Sequence, residues 1–430
     1  MPNTQPNTNT SPGEIHADAW NNIMTGLGRR GQDKNAHLNF KPSAILSDIE
    51  LCSLYDGEGI AARIVDLLPD DATKNGFEVL GDANGELYPS LSRLKVQSVI
   101  SRALKWARLF GGALLLIDVE NSGELEAPLV LAKNRTVRKL RVYSRARVFF
   151  EQADFSNDPA SPYFETPEFY TIYKRWGGQF RVHASRCIPV YGVPSADIVQ
   201  SEDFYTTYWG NSIIRRVYTH LGSLGAMLAG LGILGQEFSI GKLKLSNLAS
   251  LVAQNNWGAI EKRMEAIALQ KSLIKSVLLG EGEDFTRDNL GGNGLSDITD
   301  KLFQAVATAA GYPVSILFAR PGGGLNANQE EDTRRYYDGV AVFQANECHD
   351  ILYRIAEVQN AGLVFPVPQT ELDVKWDAPW VMSETETLAN REKQMNIDKG
   401  YIELGVYTAD DAARRFVGGY TYETTIEGLE

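Results

Sequence analysis

The sequence has few of the residues that form disulfide bonds or bind metal ions. Its 430 residues include three cysteines and five histidines. Cys52, Cys187 and Cys348 lie far apart in the chain and form no CxxC pair, so we expect reduced, structural thiols. The histidines are equally scattered and give no HExxH or paired His/Cys spacing. We therefore predict a protein without a metal centre or a cofactor.

A long hydrophobic run and a targeting signal are also missing. The longest uncharged apolar run is LGSLGAMLAGLGILG at 221–235, and a bilayer-spanning helix needs about 18 such residues. We predict a buried helix there, with glycines that let another backbone approach, and no membrane contact. The N-terminal residues MPNTQPNTNTSPGEI lack a basic start and an apolar stretch, so no secretion signal is expected. Their polar composition predicts a disordered or extended arm over 1–40.

Basic residues are fewer than acidic residues. The chain has 42 Lys and Arg against 54 Asp and Glu, a net charge of −12. This balance argues against a protein that grips nucleic acid by its phosphates, because that binding mode needs a basic surface. It fits a conduit, because an acidic wall repels a duplex and lets it slide.

One stretch departs from the acidic balance. Its basic residues are Lys133, Arg135, Arg138, Lys139, Arg141, Arg145 and Arg147. They predict either a solvated strand face or a contact surface for DNA or for a neighbouring acidic subunit.

The spacing of apolar residues predicts an α+β fold. Residues 43–77 indicate helices followed by a strand, with Pro69 ending the second helix. A further helix is predicted over 87–110, before the apolar run ALLLIDV. Short aromatic and β-branched runs over 130–191 predict an antiparallel sheet or a small barrel. Helices return over 211–310.

The C-terminal third predicts a projecting helix–β–helix excursion. Apolar residues at helical spacing over 329–360 predict one helix about 45 Å long. Residues 361–382 are rich in proline and predict a hairpin or an extended loop. Ser383 and Glu386 then form a capping box that starts a return helix over 383–399. Such an excursion lacks a core of its own, so we expect neighbouring subunits of a ring oligomer to cover it.

Four strings of the sequence are distinctive: LYDGEGIAARIVDLLPDDATKNGFEV, ALKWARLFGGALLLI, FYTTYWGNSIIRRV and GYPVSILFARPGGGLNANQEEDTRRYYDGV. They resemble bacteriophage portal proteins, in the branch that shares a domain of unknown function with anti-CBASS proteins. The last string is the most specific, and its motif residues are Gly311, Pro313, Gly322, Gly323, Gly324 and Asn326. The resemblance covers about 43–417.

The resemblance implies a phage portal fold with four parts. These are a mixed α/β wing at 41–328, a two-helix stem at 329–360 and 383–399, a small β-containing clip at 361–382, and a tunnel-proximal segment with a short or absent crown at 400–430.

The resemblance also implies a biological role. Portal subunits form a homo-oligomeric ring, typically of twelve copies, at one capsid vertex, where double-stranded DNA is packaged and ejected. Its implied partners are that DNA, the terminase large subunit, the head–tail adaptor and the major capsid or scaffold protein. Its implied location is the virion, after assembly in the host cytoplasm.

Two sets of site residues follow from the resemblance, and no catalytic residue does. Candidates for lining the DNA channel are Glu384, Glu392, Lys393, Lys399 and Glu403, each of which also fits a plain solvated helix position. Candidates for clip contacts with the motor or adaptor are Phe365, Trp376 and Trp380.

Two alternative functions remain open. One is another structural protein of the phage head or baseplate. The other is a cyclic nucleotide phosphodiesterase with two catalytic histidines, the class of enzyme that the related anti-CBASS proteins resemble. Only one His-x-Ser triplet occurs, at His183, and one imidazole cannot serve as both acid and base. We therefore expect a protein that is not an enzyme.

Overall fold

The computed structural model describes residues 46–405 apart from 157, 162, 196–207, 237–238, 245–256, 259–260, 263–264, 266–283, 290–294, 320–328 and 381–383. The predicted N-terminal arm lies outside the described residues. Within them the chain is an α+β protein, as the sequence predicts. No helix in this part of the chain is long and apolar enough to cross a membrane.

The described helices and strands alternate along the chain. The helices are α1 (Asp48–Gly57), α2 (Gly59–Thr73), α3 (Leu87–Arg93), α4 (Val96–Phe110), α5 (Ile213–Gln236), α6 (Leu295–Ala310), α7 (Val314–Phe318), α8 (Gln329–Phe343), α9 (His349–Ala361) and α10 (Glu384–Glu403). The strands are β1 (Phe77–Leu80), β2 (Gly112–Val119), β3 (Val137–Ser144), β4 (Val148–Phe149), β5 (Phe169–Tyr173), β6 (Gln179–His183), β7 (Cys187–Tyr191), β8 (Ser239–Lys244), β9 (Asp284–Asn289) and β10 (Asp373–Trp376).

Strand β2 lies between two hydrophobic cores. It is the central strand of the antiparallel sheet β3-β2-β7. Leu115 and Ile117 on one face belong to the main core, which the helices cover. Leu114 and Leu116 on the other face belong to a second core, which the antiparallel sheet β4-β5-β6 covers. Burial on both faces explains why β2 is a continuous apolar run rather than an alternating one.

The second core is built on aromatic rings. Trp209 is fully buried, and the rings of Phe150, Tyr170 and Tyr208 surround it at centroid distances of 6.1, 6.3 and 5.0 Å. A Cβ atom on Gly112 would lie 2.5 Å from the Trp209 ring. The glycine at the start of β2 is therefore required by close packing.

Two helix boundaries differ from the prediction. Helix α2 does not end at Pro69 but continues to Thr73. The predicted helix over 87–110 is interrupted, because Lys95 takes a left-handed conformation with φ 54° and separates α3 from α4. This turn changes the chain direction and lets both Leu91 and Ile100 face the main core.

The glycine-rich run predicted as a buried helix is helical but exposed. It forms the second half of α5, where Leu221 and Leu224 are buried and no residue over 225–233 is. Leu228 and Ile233 are 41% and 60% exposed. The prediction of burial is therefore wrong, because apolar character shows that a surface needs a partner but not whether the same chain supplies it.

The long helix predicted over 329–360 is confirmed, with one irregularity. Helices α8 and α9 join through a π-helical turn at Gln344–Cys348. The side chain of Gln344 is buried there and donates to the carbonyls of Ala72 (2.7 Å) and Asp377 (3.1 Å). The turn thus inserts a polar side chain between α2 and the segment after β10.

The predicted projection of this long helix is wrong. Val340, Ile351 and Ile355 lie in the main core, so the helix is part of the body. The β element after it also lies on the body, because β10 pairs antiparallel with β1, with Trp376 opposite Phe77. The stem and clip expected at 329–360 and 361–382 therefore do not form a projecting excursion.

His349 links α9 to β10 through two carboxylates. Its Nδ1 lies 3.2 Å from Asp350 Oδ1, and its Nε2 lies 3.2 Å from Asp373 Oδ1. Burial lowers the pKa of His349, but the two carboxylates outweigh it and leave the pKa above its ordinary value. The folded state therefore favours the charged imidazole. This stabilisation is complete below the unfolded pKa of about 6.5 and is lost as pH rises through the raised folded pKa.

We predict that His349→Gln lowers the melting temperature more at pH 5.5 than at pH 8.5. The effect should be small, under about 1 kcal/mol, because the side chain is partly exposed to solvent. Thermal unfolding followed by intrinsic fluorescence at the two pH values measures it. Asp373→Asn should show the same pH dependence, and an equal shift at both pH values in either variant would contradict the assignment.

Candidate functional site at the GYPV turn

The most specific string of the sequence begins with the turn Gly311-Tyr312-Pro313-Val314, which links α6 to α7. Gly311 ends α6 in a left-handed conformation with φ 78°, which favours glycine. The turn is closed by Gly311 N donating to Thr308 O (3.1 Å) and Tyr312 N donating to Ala307 O (2.9 Å), the Schellman pattern. Pro313 then occupies the N-cap of α7. Gly322, Gly323, Gly324 and Asn326 lie outside the described residues.

Tyr312 from this turn meets α2 and α4 inside the body. Its ring is buried, and its hydroxyl donates to Ile64 O at 2.9 Å and accepts from Arg108 Nη2 at 2.9 Å. Arg108 also donates from Nη2 to Ile64 O (3.1 Å) and from Nε to Val65 O (3.3 Å).

These bonds explain how α2 passes through Pro69. Proline has no N–H, so the carbonyl four residues earlier, that of Val65, loses its helical partner. Arg108 supplies a charged donor to that carbonyl and to its neighbour at Ile64. Because the unpaired buried carbonyl is satisfied from α4, the helix continues to Thr73.

The start of the long helix is attached to the same place. Tyr336 on α8 donates from its hydroxyl to Asp71 Oδ2 at 2.9 Å, and its ring lies 5.9 Å from the ring of Tyr312. Burial, followed by the charge of Asp71, raises the pKa of Tyr336 well above its ordinary value, so the phenol stays protonated. Lys74 completes an ion pair with Asp71 at 3.1 Å.

A cavity of about 480 Å³ lies between α2, α4, α6 and α8 at this turn. Its lining includes Leu68, Arg108, Pro313, Asp332 and Val340. The polar groups that reach it from Arg108 and Tyr336 are engaged in the bonds above. These hydrogen bonds connect α2, α4, the GYPV turn and α8. This set of contacts, here called the GYPV joint, fixes the two helices on either side of residues 320–328.

Sequence reasoning found the GYPV turn but missed its partners. Asp71, Arg108 and Tyr336 lie in three of the four strings quoted above, but nothing in their spacing indicates that they meet at this turn. A signal was present at Pro69, because a proline inside an amphipathic helical pattern requires a donor for the carbonyl that it frees.

The predicted channel residues lie on α10. The side chain of Glu384 is outside the described residues, and the other four candidates are exposed. At about 100° per residue, Glu392, Lys399 and Glu403 lie within one side of the helix, and Lys393 lies about a quarter turn away. Their role in lining a channel stays a prediction.

The predicted clip contacts separate into exposed and buried residues. Phe365 is 65% exposed and stays a candidate contact. Trp376 is buried and packs on Phe77 at a ring distance of 5.8 Å, so the prediction is wrong for this residue. Trp380 is half-buried and stacks on Tyr337.

Three of the seven basic residues of the stretch around β3 form ion pairs within the chain. Arg138 forms a salt bridge with Asp118 at 2.8 Å, and Arg141 reaches the same carboxylate at 3.6 Å. Arg145 pairs with Asp48 at 3.1 Å. These pairs favour an ion-paired strand face over a surface for DNA.

The single His-x-Ser triplet has a structural role. His183 is buried, and its Nδ1 accepts from Ser185 N at 3.1 Å, which forms the tight turn before β7. Burial lowers the pKa of His183 despite Glu168, whose carboxylate lies 3.7 Å from Nε2. The three cysteines are free thiols, and burial raises the pKa of Cys187 and of Cys348.

Two solved structures have a similar fold. A chain from the neck of an empty gene transfer agent particle, computed with C6 symmetry, covers 86% of this chain and 93% of its own, with a TM-score of 0.53 and 14% identity. A chain from the neck of the native particle, computed with C12 symmetry, has a TM-score of 0.51, 15% identity and the same coverage of both chains. The fold is thus that of particle-neck subunits.

The sequence comparison identifies the family. The profile of the phage portal protein family matches residues 49–399. The chain belongs to the phage portal protein family. The matched range contains the whole described joint, from Ile64 on α2 to Tyr336 on α8.

Two curated relatives are similar over most of the chain. The anti-CBASS protein Acb1 of Caulobacter sp. (strain RHG1) is 23% identical over 441 residues, which cover 97% of this chain and 68% of that protein. An uncharacterized protein of Haemophilus influenzae (strain ATCC 51907 / DSM 11121 / KW20 / Rd) is 26% identical over 311 residues, 71% of this chain and 68% of that protein. About a third of each relative lies outside the match.

We predict that Arg108→Met destabilises the protein by about 1–3 kcal/mol, because it leaves the Val65 carbonyl of α2 without a donor and removes a hydrogen bond to Tyr312. Arg102→Met is the matched control, an exposed arginine on the same helix whose loss should change stability by less than about 0.5 kcal/mol. Urea unfolding followed by fluorescence measures both. Equal midpoints for the two variants would show that Arg108 does not hold the joint.

Proposed function

We propose that the protein assembles into a ring of about twelve copies at one vertex of a phage capsid, where double-stranded DNA passes through the centre. Membership of the portal family supports this function, and the similar neck chain from a particle computed with C12 symmetry supports the subunit number. The proposal places the protein in the virion.

The observation that carries the proposal is the exposed apolar surface of α5. A helix with Leu228 and Ile233 largely exposed is unfavourable for a solitary molecule, because burial of apolar surface is worth about 25 cal/mol per Å². Its glycines at 222, 225, 230 and 232 have open space at the Cβ position, so another backbone can approach closely. Neighbouring copies in a ring would cover this surface.

The helix pair α5 and α6 is a second candidate for the stem expected at 329–360 and 383–399. The two helices pack on each other, and the antiparallel ribbon β8-β9 lies between them in sequence. Ile298 on α6 is 53% exposed, like the residues of α5. We infer that α5 and α6 form the two-helix stem and that the ribbon β8-β9 belongs to the clip. The terminase and the head–tail adaptor would contact that clip.

The acidic balance of the chain supports a sliding contact with DNA. Twelve copies with a charge of −12 each give a ring charge of about −144. Phosphate contacts create affinity, and affinity at each step would slow a moving duplex. The four exposed charged candidates of α10 remain our proposed channel residues, with the major capsid or scaffold protein contacting the outside of the ring.

We predict a particle of about 570 kDa, twelve times the 47.5 kDa subunit, for the purified protein. Ile233→Glu should reduce the ring fraction at least several-fold, because it places a charge in the proposed stem contact. Mass photometry at micromolar concentration measures both.

Ser223→Glu, at an exposed polar position on the same helix, serves as the control and should leave the rings intact. If the unmodified protein gives only monomers or dimers, the proposed function fails. If Ile233→Glu assembles normally, the stem does not lie at α5.

We also predict that Glu403→Lys slows DNA packaging while rings still form, because added attraction to phosphate retards sliding. Glu120→Lys, which adds the same charge at an exposed loop position after β2, should package normally. Packaging is measured as nuclease-protected DNA over time in cells infected with phage that carry each variant. Normal packaging with Glu403→Lys would remove this residue from the channel wall.

A further inference from the structure

Helix α10 carries two apolar rows on opposite sides. The first, here called row A, consists of Leu388, Met395 and Ile402, which are 58%, 59% and 38% exposed. They recur every seven residues, which is close to two helical turns, so they lie on one side.

Row B consists of Ile397, Tyr401 and Leu404, which are 50%, 43% and 78% exposed. Steps of four and three residues keep them on one side. At about 100° per residue, Ile397 lies about 200° around the helix from Met395. The two rows therefore face in opposite directions.

The two sides between the rows are unlike each other. Asp398 lies on one of them and is 4% exposed, so that side faces protein. Glu392, Asn396 and Glu403 lie on the other side and are exposed. Helix α10 thus has one covered side, one polar open side and two apolar open sides.

Apolar rows on opposite sides cannot both be buried against one flat surface. An ordinary surface helix carries a single apolar stripe that faces its own core. Two stripes require two partners, one on each side, and a foreign protein that covered one row would leave the other exposed. A ring of identical chains supplies both partners, because each copy has one neighbour on either side.

We propose that α10 runs along the axis of the ring and that row A of each copy packs against row B of α10 in the next copy. This inference rests on the proposed ring. The contact is head-to-tail, since two different surfaces of the chain meet at each interface, and such a contact closes into a ring when its rotation divides a full turn.

The charges next to the rows agree with this pairing. Glu392 lies about 60° from the direction of row A, and Lys393 lies about 45° from the direction of row B, both towards the polar open side. Copies related by rotation about the ring axis have equal residues at equal heights. Glu392 of one copy therefore comes opposite Lys393 of the next copy, one residue apart in height.

The dimensions agree with a conduit as well. Packed helix axes lie about 8–10 Å apart. Twelve helices at about 10 Å form a circle of about 120 Å circumference, and subtracting a helix diameter of about 10 Å leaves an opening of about 28 Å. That opening is wide enough for a duplex, and the polar side with Glu392 and Glu403 would face it.

Cysteine crosslinking tests the pairing. In a Cys52→Ser background, which removes the exposed native thiol, Met395→Cys places a thiol in row A and Ile397→Cys places one in row B. Mild oxidation joins two thiols into a disulfide only where their Cβ atoms lie about 3.5–4.5 Å apart, as across a packed contact, and not where equivalent residues of neighbouring copies lie about 10 Å apart. The double variant should give a ladder of bands up to the closed ring on a denaturing gel.

The single variants are the matched controls. Each alone should stay monomeric on the gel, and a mixture of the two, reassembled together, should give crosslinked species because row A meets row B. Dimers from a single variant alone would show a two-fold contact and overturn the proposal.

The ring itself is measured in the same samples by mass photometry. Rings without a ladder in the double variant would overturn the α10 contact and leave the proposed function intact. Absence of rings in the Cys52→Ser background would instead be the failure of the proposed function.

A charge exchange provides a second measurement that does not depend on crosslinking geometry. Glu392→Lys should lower the ring fraction several-fold, because it opposes Lys393 of the next copy. Adding Lys393→Glu should restore at least half of the lost rings. If the double exchange assembles no better than Glu392→Lys alone, the two residues do not meet across an interface.

Discussion

The body of this portal protein depends on one half-buried guanidinium. Arg108 donates to the Val65 carbonyl that Pro69 leaves without a partner in α2, and it also binds the Ile64 carbonyl and the hydroxyl of Tyr312. One side chain from α4 therefore fixes α2 and the turn after α6. Tyr336 extends the connection from α8 to Asp71 at the end of α2. Helices that are distant in sequence are thus held in one position by hydrogen bonds that a low-dielectric interior makes costly to break.

A rigid joint of this kind suits a subunit that works as part of an assembly. Helices α5 and α10 leave apolar surface open, and only a fixed body can present such surfaces at a reproducible angle to its neighbours. The same chain keeps its second core closed with aromatic rings around Trp209. In the proposed ring, stability within the subunit and contacts between subunits would lie in different parts of the fold, and the cyclic arrangement would cover the open apolar sides at opposite faces of one helix.

The sequence predicted element types well and packing poorly. Apolar spacing gave the long helix over 329–360, and β-rich runs gave the antiparallel strands, because both periods are local properties of the chain. Burial is not local. The apolar run is exposed or half-exposed over 225–233, whereas the long helix and Trp376, both expected to project, lie in or against the core. The helix end predicted at Pro69 is wrong for the same reason, because Arg108, the donor that lets α2 continue, is 39 residues away in the sequence.

The sequence by itself determined the α+β class, the acidic charge, the scattered cysteines and histidines, and the string GYPVSILFARPGGGLNANQEEDTRRYYDGV that indicated the portal family. Each of these is readable from residue order alone. Only the tertiary structure decided that Arg108 and Tyr312 meet at the Ile64 carbonyl of α2, that α8 and α9 belong to the body, and that α5 and α10 expose apolar surface. The physical reason is that an apolar side chain is stabilised by burial wherever it is buried. Which surface buries it is decided by packing between residues that are distant in sequence.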